Sequence, residues 1–269
     1  FAGGFIIALA IQKWNLHKRV ALNILKFSGL NSRGIVASFM VASAVLSMWV
    51  MNTSTAIMLL PVGISVIKVI SDTVNDVSDN QKFNFQLCLL LGIAYAASVG
   101  GIATPIGTSP NGVLIQFASN NYDYDIGFAN WISIGLPITL GLGPLIWIFL
   151  TRIIFPVNFS ATQESKEKLN SMLKELGPMS NEEKKVIMVF LITAFFWIFR
   201  QLIDNLPGLS LLDDSVIAIT GAVSLFFINE SNKKNKLLIW DDVQSGFPWG
   251  LIFLFGGGMA LAYVVNDSG

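Results

Sequence analysis

Ser47-Met-Trp-Val-Met-Asn-Thr-Ser-Thr-Ala-Ile-Met-Leu-Leu-Pro61 is an apolar segment broken by four consecutive uncharged polar residues, Asn52, Thr53, Ser54 and Thr55. The apolar run around it reaches from Gly34 to Ile70, carries no Asp or Glu, and holds one base, Lys68. Polar groups inside such a run cost free energy unless something satisfies them. A straight helix over the 37 residues of 34–70 would be about 55 Å long, too long for one crossing of a roughly 30 Å hydrocarbon core. The polar tip at 51–55 divides the run into two arms of similar length. Two readings stand: two complete spans, or a re-entrant hairpin over 34–70 that enters and leaves by one face. Short arms meeting at a charge-free polar tip favour the hairpin, because non-helical backbone at membrane depth is tolerated where it lines a cavity.

Composition sets the surroundings of that tip. The chain has 269 residues, 53% hydrophobic and 13% charged, with mean hydropathy +0.64. A soluble domain carries roughly 25% charge. Several windows of about 20 residues are nearly free of charge, the length needed to cross a bilayer. The expected class is an all-α polytopic membrane protein. The single cysteine, Cys88, excludes an internal disulfide and a cysteine metal site, and the single histidine, His17, excludes a histidine cluster. The chain starts inside an apolar segment and stops after Asn-Asp-Ser, and reads as part of a longer one.

Taken in order, 1–11 is the end of a membrane helix with a Gly3-Gly4 pair. In 13–33, Leu16, Val20, Ile24 and Phe27 recur at helical spacing among five bases and one histidine. The pattern predicts an amphipathic helix at the membrane interface, its bases facing anionic headgroups. After a polar loop at 71–82, the second interrupted element covers 83–118. Its small residues are Gly92, Ala94, Ala96, Ala97, Ser98, Gly100 and Gly101, and its interruption is Thr104-Pro-Ile-Gly-Thr-Ser-Pro-Asn-Gly112. Prolines at 105 and 110 remove backbone donors and clash with the preceding turn, so a regular helix cannot continue. Further spans follow at 131–151, 186–202, 215–228 and 248–265, with Asp241-Asp242 capping a short helix before the last. Bases place 12–33, 71–82, 152–185 and 229–239 in the cytoplasm, and 119–130, 200–214 and 266–269 outside. Of the 17 Lys and Arg, 16 fall inside and only Arg200 lies at an outer end. This requires an even number of passes in 34–70, and both readings supply one.

Phe1-Ala-Gly-Gly-Phe-Ile-Ile-Ala8 matches Phe255-Gly-Gly-Gly-Met-Ala-Leu-Ala262, and the assigned topology runs the two copies in opposite directions. That is the arrangement of an inverted-repeat transporter, whose site forms between discontinuous helices near the midplane. The expected organisation is a first repeat at 1–157, a cytoplasmic linker at 158–185 and the start of a second repeat at 186–269. A second hairpin and a second broken helix should then follow Gly269.

The two interruptions share a chemistry. Hydroxyls, an amide and freed carbonyls suit a hard monovalent cation such as sodium. Uncapped helix starts offer N–H groups and a positive dipole end to an anion, with Thr53, Ser54, Thr108, Ser109 and Asn111 as further donors. Cross-helix polar bonding is the plainer explanation of 52–55 taken alone; the second break at 104–112 turns the balance toward a site. Ser65-Val-Ile-Lys68 is a chance match to a nucleophile motif. His17 reads as an interfacial side chain, and Gly256 to Gly258 as close helix packing.

The segment 47–61 resembles the first Ser-Asn-Thr hairpin of the divalent anion/sodium symporter family. Gly92-Ile-Ala-Tyr-Ala-Ala-Ser-Val-Gly-Gly-Ile-Ala-Thr-Pro-Ile-Gly-Thr-Ser-Pro-Asn111 resembles its broken-helix motif. Trp14-Asn-Leu-His-Lys-Arg19 and Pro248-Trp-Gly-Leu-Ile-Phe-Leu-Phe-Gly-Gly-Gly258 are similar to it as well. The resemblance implies a multi-pass plasma-membrane homodimer (bacterial inner membrane if prokaryotic), not an enzyme. It implies sodium-coupled uptake of a small anion, a di- or tricarboxylate such as succinate, malate or citrate, or else sulfate, by an elevator motion through the lipid bilayer. Carried over by position, sodium would meet Ser47, the Met51 carbonyl, Asn52 and Gly107. The anion would meet Asn52, Thr53, Thr108 and Ser109. Met51 replaces a serine and Ser109 a proline of the family pattern, and both bear on which anion is taken. A sulfate or other oxyanion symporter and a proton-coupled transporter are the near alternatives. An ion channel is a different class. An intramembrane enzyme would need a carboxylate pair, a metal set or an activated nucleophile that the spans do not supply.

Overall fold

The computed structural model describes residues 2–26, 29–74, 77–203, 213–231 and 235–268, and among these the chain is helical with two isolated β-bridges. Phe1 of the repeat, Phe27 of the amphipathic stripe, the acidic turn at 204–212, the lysines within 232–234 and Gly269 lie outside the described residues. Helix α1 (Ala2–Lys13) turns through Asn15, which takes a left-handed φ of 56°, into α2 (Leu16–Leu25). The predicted hairpin is α3 (Ser32–Ser47), a short tip, and α4 (Asn52–Thr73). The second broken element is α5 (Asp79–Gly100), a 3-10 turn at Gly101–Ala103, a further turn at 104–108, and α6 (Ser109–Tyr122). Then come α7 (Phe128–Ile148) with a π-helical extension at Phe149–Ile154, α8 (Gln163–Glu175), α9 (Asn181–Ile203), α10 (Asp214–Phe227), α11 (Trp240–Gly246) and α12 (Trp249–Ser268). By length and composition, Asn52–Thr73, Asp79–Ala103 and Phe128–Ile154 can each cross a bilayer.

The two arms of 34–70 differ in length, against the expectation. Helix α3 has 16 residues and α4 has 22, about 24 Å and 33 Å. The last turn of α4 accounts for three of the six extra residues, 71–73. It runs past the apolar segment to Thr73, whose hydroxyl bonds Ser165 of α8. The other end of the hairpin reaches the same place: Asn31 bridges Ser160 and Arg33 Nε donates to Val157 O at 2.7 Å. Both outer ends therefore meet the 157–165 segment, and the hairpin leaves from the end it enters.

Small residues let the hairpin and the broken helix approach. Gly92, Ala96 and Gly100 recur every four residues along α5 and are buried, the spacing that brings membrane helices together. They lie against α3, where Gly92 faces Met40 and Gly100 faces the Ala44 backbone. Ser43 Oγ adds a 2.7 Å bond to Ile93 O across this contact.

Buried side chains separate into two main cores. One joins α3, α4 and α5 with Leu150, Val157 and Ala161. The other joins α1, α9, α10 and α11 with Leu237 and Leu238. Helix α2 serves both, giving Leu16 to the second and Ala21, Leu22 and Leu25 to the first. The predicted amphipathic helix is present, but protein covers more of its apolar face than the stripe implied. His17, expected at the membrane interface, is 5% exposed. The bases there are engaged as well. Lys13 pairs with Asp242 at 2.7 Å, and Arg19 pairs with Glu183 at 2.8 Å while donating to the carbonyls of 176–178. Glu183 also closes a reciprocal cap with Ser180 at the start of α9, through bonds of 2.6 and 3.1 Å. Ser180-x-x-Glu183 is a readable signature of that cap.

The charge-based sides hold as groupings. The basic segments meet one another through Trp14 to Leu237 O, Arg19 to Glu183, Gln81 to Asn158 and Lys185 to Asn229. At the opposite end Asp214 accepts from Phe128 N at 2.9 Å and faces Arg200 at 3.2 Å. Asp242 caps α11 by accepting from Ile239 N, as its sequence implied. Because α11 leads into α12, the second Gly-rich helix starts at the end where α1 stops. Nothing among the described residues lies within 4 Å of a methyl placed on Gly256, Gly257 or Gly258, so the close packing expected for them is not seen here.

Candidate cation and anion site

The tip of the hairpin meets the break in the second element, and Asn52 makes the contact. The inward atom of its side-chain amide lies 2.7 Å from Ser47 Oγ and 3.2 Å from both Gly107 O and Ala97 O. With the nitrogen inward the amide donates to all three. With the oxygen inward, four oxygens face one another: Asn52 Oδ1, Ser47 Oγ, Ala97 O and Gly107 O. Ser47 is fully buried at the end of α3, and Gly107 is buried in the turn at 104–108. Sequence reasoning named Ser47, Asn52 and Gly107, and the structure brings the three together. It missed Ala97, whose contribution is a carbonyl one turn before the helix breaks. Ala97 O also accepts Gly101 N within the last turn of α5, so no unpaired group marks it in the sequence.

Met51, the fourth predicted cation ligand, is differently used. Its carbonyl accepts Thr55 N at 2.9 Å as the first bond of α4, and its side chain packs on the α1–α9–α10 core.

The predicted anion residues lie beside the Asn52–Gly107 contact by chain adjacency. Thr53 follows Asn52 and is exposed; Thr108 follows Gly107 and is half-buried, as is Ser109. Helix α4 starts at Asn52 and α6 at Ser109, and neither has a side-chain cap from Met51 or Thr108. Leading N–H groups of a helix have no intrahelical partner and carry its positive end. Two such ends are joined here through one amide.

Asn111, expected among the anion donors, is committed to the backbone. It is 7% exposed, and Nδ2 donates to Gly101 O and Thr104 O, each at 2.8 Å. Other side chains satisfy further freed carbonyls: Trp131 Nε1 bonds Ile102 O at 2.9 Å and Thr139 bonds Val99 O at 2.9 Å. Thr104 is fully buried; its hydroxyl donates to Met48 O in the tip and accepts from Gly107 N at 3.1 Å. Glycine is required at 107 by space, since a methyl there would sit 2.5 Å from Gly101 O and 2.9 Å from Ser47 O, both backbone atoms. A separate groove of about 670 Å³ between α9 and α10 is lined by residues such as Met188, Ile192, Phe196 and Ile217. Its walls are mostly apolar, and Lys185, Thr193 and Ser224 among them bond backbone carbonyls.

The chain spans about half the length of the curated relatives it matches. It is 38% identical over 272 residues to the sodium-dependent dicarboxylate transporter SdcS of Staphylococcus saprophyticus, covering 100% of this chain and 52% of that one. It is 36% identical over 274 residues to the protein of the same name from Staphylococcus aureus strain USA300, with the same coverage. These relatives are named as transporters, and with the apolar helices they identify a multi-pass plasma-membrane protein. The profile of the family described as "Sodium:sulfate symporter transmembrane region" matches residues 1–269, and the chain belongs to that family.

Proposed function

We propose that the full-length protein carrying this chain is a sodium-coupled symporter of a divalent anion, with a di- or tricarboxylate as its substrate. The observation that carries the proposal is the convergence of Asn52, Ser47 Oγ, Ala97 O and Gly107 O at 2.7–3.2 Å. Uncharged oxygens from a side-chain amide, a hydroxyl and two carbonyls suit sodium. Binding there ties the tip of 34–70 to the break of 83–118, and so orders both uncapped helix starts. The anion then binds between α4 and α6, held by Thr53, Thr108, Ser109 and the leading N–H groups. Cation binding precedes anion binding because it assembles the anion's donors.

Two names bear on the anion. The relatives at 36–38% identity are dicarboxylate transporters, which supports a carboxylate. The family description names sulfate, which keeps an inorganic oxyanion as the second reading. The hairpin is read as re-entrant because its tip meets the interruption in the middle of 83–118, and α6 adds 14 residues beyond that point. Separate cores on either side of α2 support an elevator motion of α3–α7 against α1 and α9–α11. The family resemblance brings the homodimer and the division into repeats at 1–157 and 186–269.

The test is uptake into proteoliposomes holding the full-length protein, with labelled succinate or sulfate and an inward gradient of sodium or potassium. Succinate accumulation driven by sodium is expected, and Asn52→Ala should reduce it to background. Uptake indifferent to sodium, or a wild-type rate in Asn52→Ala, overturns the proposal.

A further inference from the structure

Thr104 stands one shell behind the residues just described and touches both halves of the site. Its hydroxyl donates to the carbonyl of Met48, in the tip of the α3–α4 hairpin. The same oxygen accepts from Gly107 N at 3.1 Å, within the break between α5 and α6. The side chain is 0% exposed, so water cannot substitute for either bond. Thr104 O is held in turn by Asn111 Nδ2 at 2.8 Å, which also holds Gly101 O. The hydroxyl thus sits at the crossing of two chain segments, and both of its hydrogen-bonding capacities are used between them. Gly107 N belongs to the same residue as the carbonyl that approaches Asn52. This N–H is shared with Thr104 O at 3.3 Å, so Thr104 anchors through two acceptors the peptide unit that leads into Gly107 and its carbonyl.

We propose that Thr104 is the positioning residue of the cation site: its hydroxyl clasps the hairpin tip to the broken helix and aims Gly107 O at Asn52. The inference rests on the sodium-symport reading above and adds to it a residue that meets neither ion nor anion. Sodium binding then draws on an arrangement that is already organised, and loss of the clasp weakens sodium before it weakens the anion. The methyl group of Thr104 makes no part of this role, so serine should serve and valine should not.

The experiment measures sodium half-saturation and succinate KM at saturating sodium, with the full-length protein in proteoliposomes. Thr104→Val, close in shape and lacking the hydroxyl, should raise the sodium half-saturation roughly tenfold, the scale of one to two lost intramolecular hydrogen bonds. Succinate KM at saturating sodium should stay within about twofold, the span left when no anion contact is lost. Thr104→Ser should restore the wild-type sodium value. A sodium half-saturation unchanged in Thr104→Val, or a change confined to succinate KM, overturns the clasp while leaving symport intact. A wild type indifferent to sodium overturns the symport reading, and the clasp with it. If Thr104→Val fails to fold, Thr104→Cys against Thr104→Ser makes the same comparison, since a thiol bonds weakly where a hydroxyl bonds well. Cysteine should then raise the sodium half-saturation and serine should not; equal values overturn the proposal.

Discussion

His17 shows how one side chain can report on the packing of a whole helix. It is buried on α2, and its Nδ1 has no partner among the described residues. Burial first, and then the neighbouring Lys18 charge, lower its pKa from 6.5 to about 4, against a smaller opposing effect of the Ile11 carbonyl. The folded protein therefore refuses a proton that the unfolded chain accepts below pH 6.5. Its contribution to stability is complete above that pH and falls as the pH drops toward about 4, where it levels off. Thermal unfolding of the detergent-solubilised protein should lose several degrees across that window. His17→Leu should flatten that part of the profile, and an unchanged slope in the variant would place the proton elsewhere. The amphipathic stripe made α2 legible as a helix. It could not say that protein, rather than headgroups, covers the face, because periodicity reports a face and not its neighbour. The same limit applies at the site. Asn52 stood out as a polar residue in apolar surroundings, while Ser47 and Gly107 came from the family resemblance. Ala97 acts through a carbonyl that every residue has. Asn111 was visible as a donor, but which acceptor it takes depends on where the break folds back.

At the scale of elements, the contact between α3 and α5 decides whether the two interruptions can meet. The Gly92-Ala96-Gly100 row removes side-chain bulk along one face of α5, and its last member lies directly on the Ala44 backbone. A methyl at Gly100 would meet backbone atoms, which cannot rotate aside as a side chain can. Gly100→Ala should therefore lower stability by about 1–3 kcal/mol, the usual cost of overpacking. It should also part Ser47 from Gly107, because Ser47 lies one turn after Ala44 and Gly107 packs on the backbone of Gly101 and Ser47. Gly143→Ala on α7 is the control: nothing lies within 4 Å of its added methyl, and its stability should match the wild type. Equal unfolding temperatures for the two variants would show that α3 moves aside freely. The small residues of 92–101 were legible in the sequence, and so was the break they lead into. The unequal arms of the hairpin were not. Apolar composition ends near Ile70, while α4 continues to Thr73 because Ser165 receives its last turn.

For the whole molecule, the charge pattern grouped the segments correctly by end, since like charges repeat on one side whatever the packing. The division into two cores was not legible, because it depends on contacts between residues far apart in sequence. A small third cluster gathers Ile106, Phe128, Trp197, Ile217 and Ala218, and the partly buried Trp49 of the hairpin tip packs against it. Its ring stacks at 6.1 Å on Phe128 and at 6.5 Å on Trp197, and Phe190 meets it edge-on at 4.8 Å. Beside it an apolar cavity of about 200 Å³ separates Val45 and Leu46 of the hairpin from Ile187 and Leu191 of α9. The tip is thus seated on α9 through one aromatic side chain in an incompletely filled space. If α3–α7 moves against α1 and α9–α11 during transport, this seat has to open. Trp49→Ala removes the two aromatic contacts to α9, with Phe190 and Trp197, about 2 kcal/mol in total, or a factor of about thirty between two positions. Spin labels on Lys68→Cys of α4 and Lys184→Cys of α9, both exposed positions, report the separation of the two bodies. Labelling is selective because Cys88, the chain's one cysteine, is buried. With Trp49 present one distance should dominate in the absence of sodium, and in Trp49→Ala a second distance should become populated. A single distance shared by both proteins would mean that the aromatic seat does not hold the bodies together, and that other contacts, such as Phe128 N to Asp214, set their relative position.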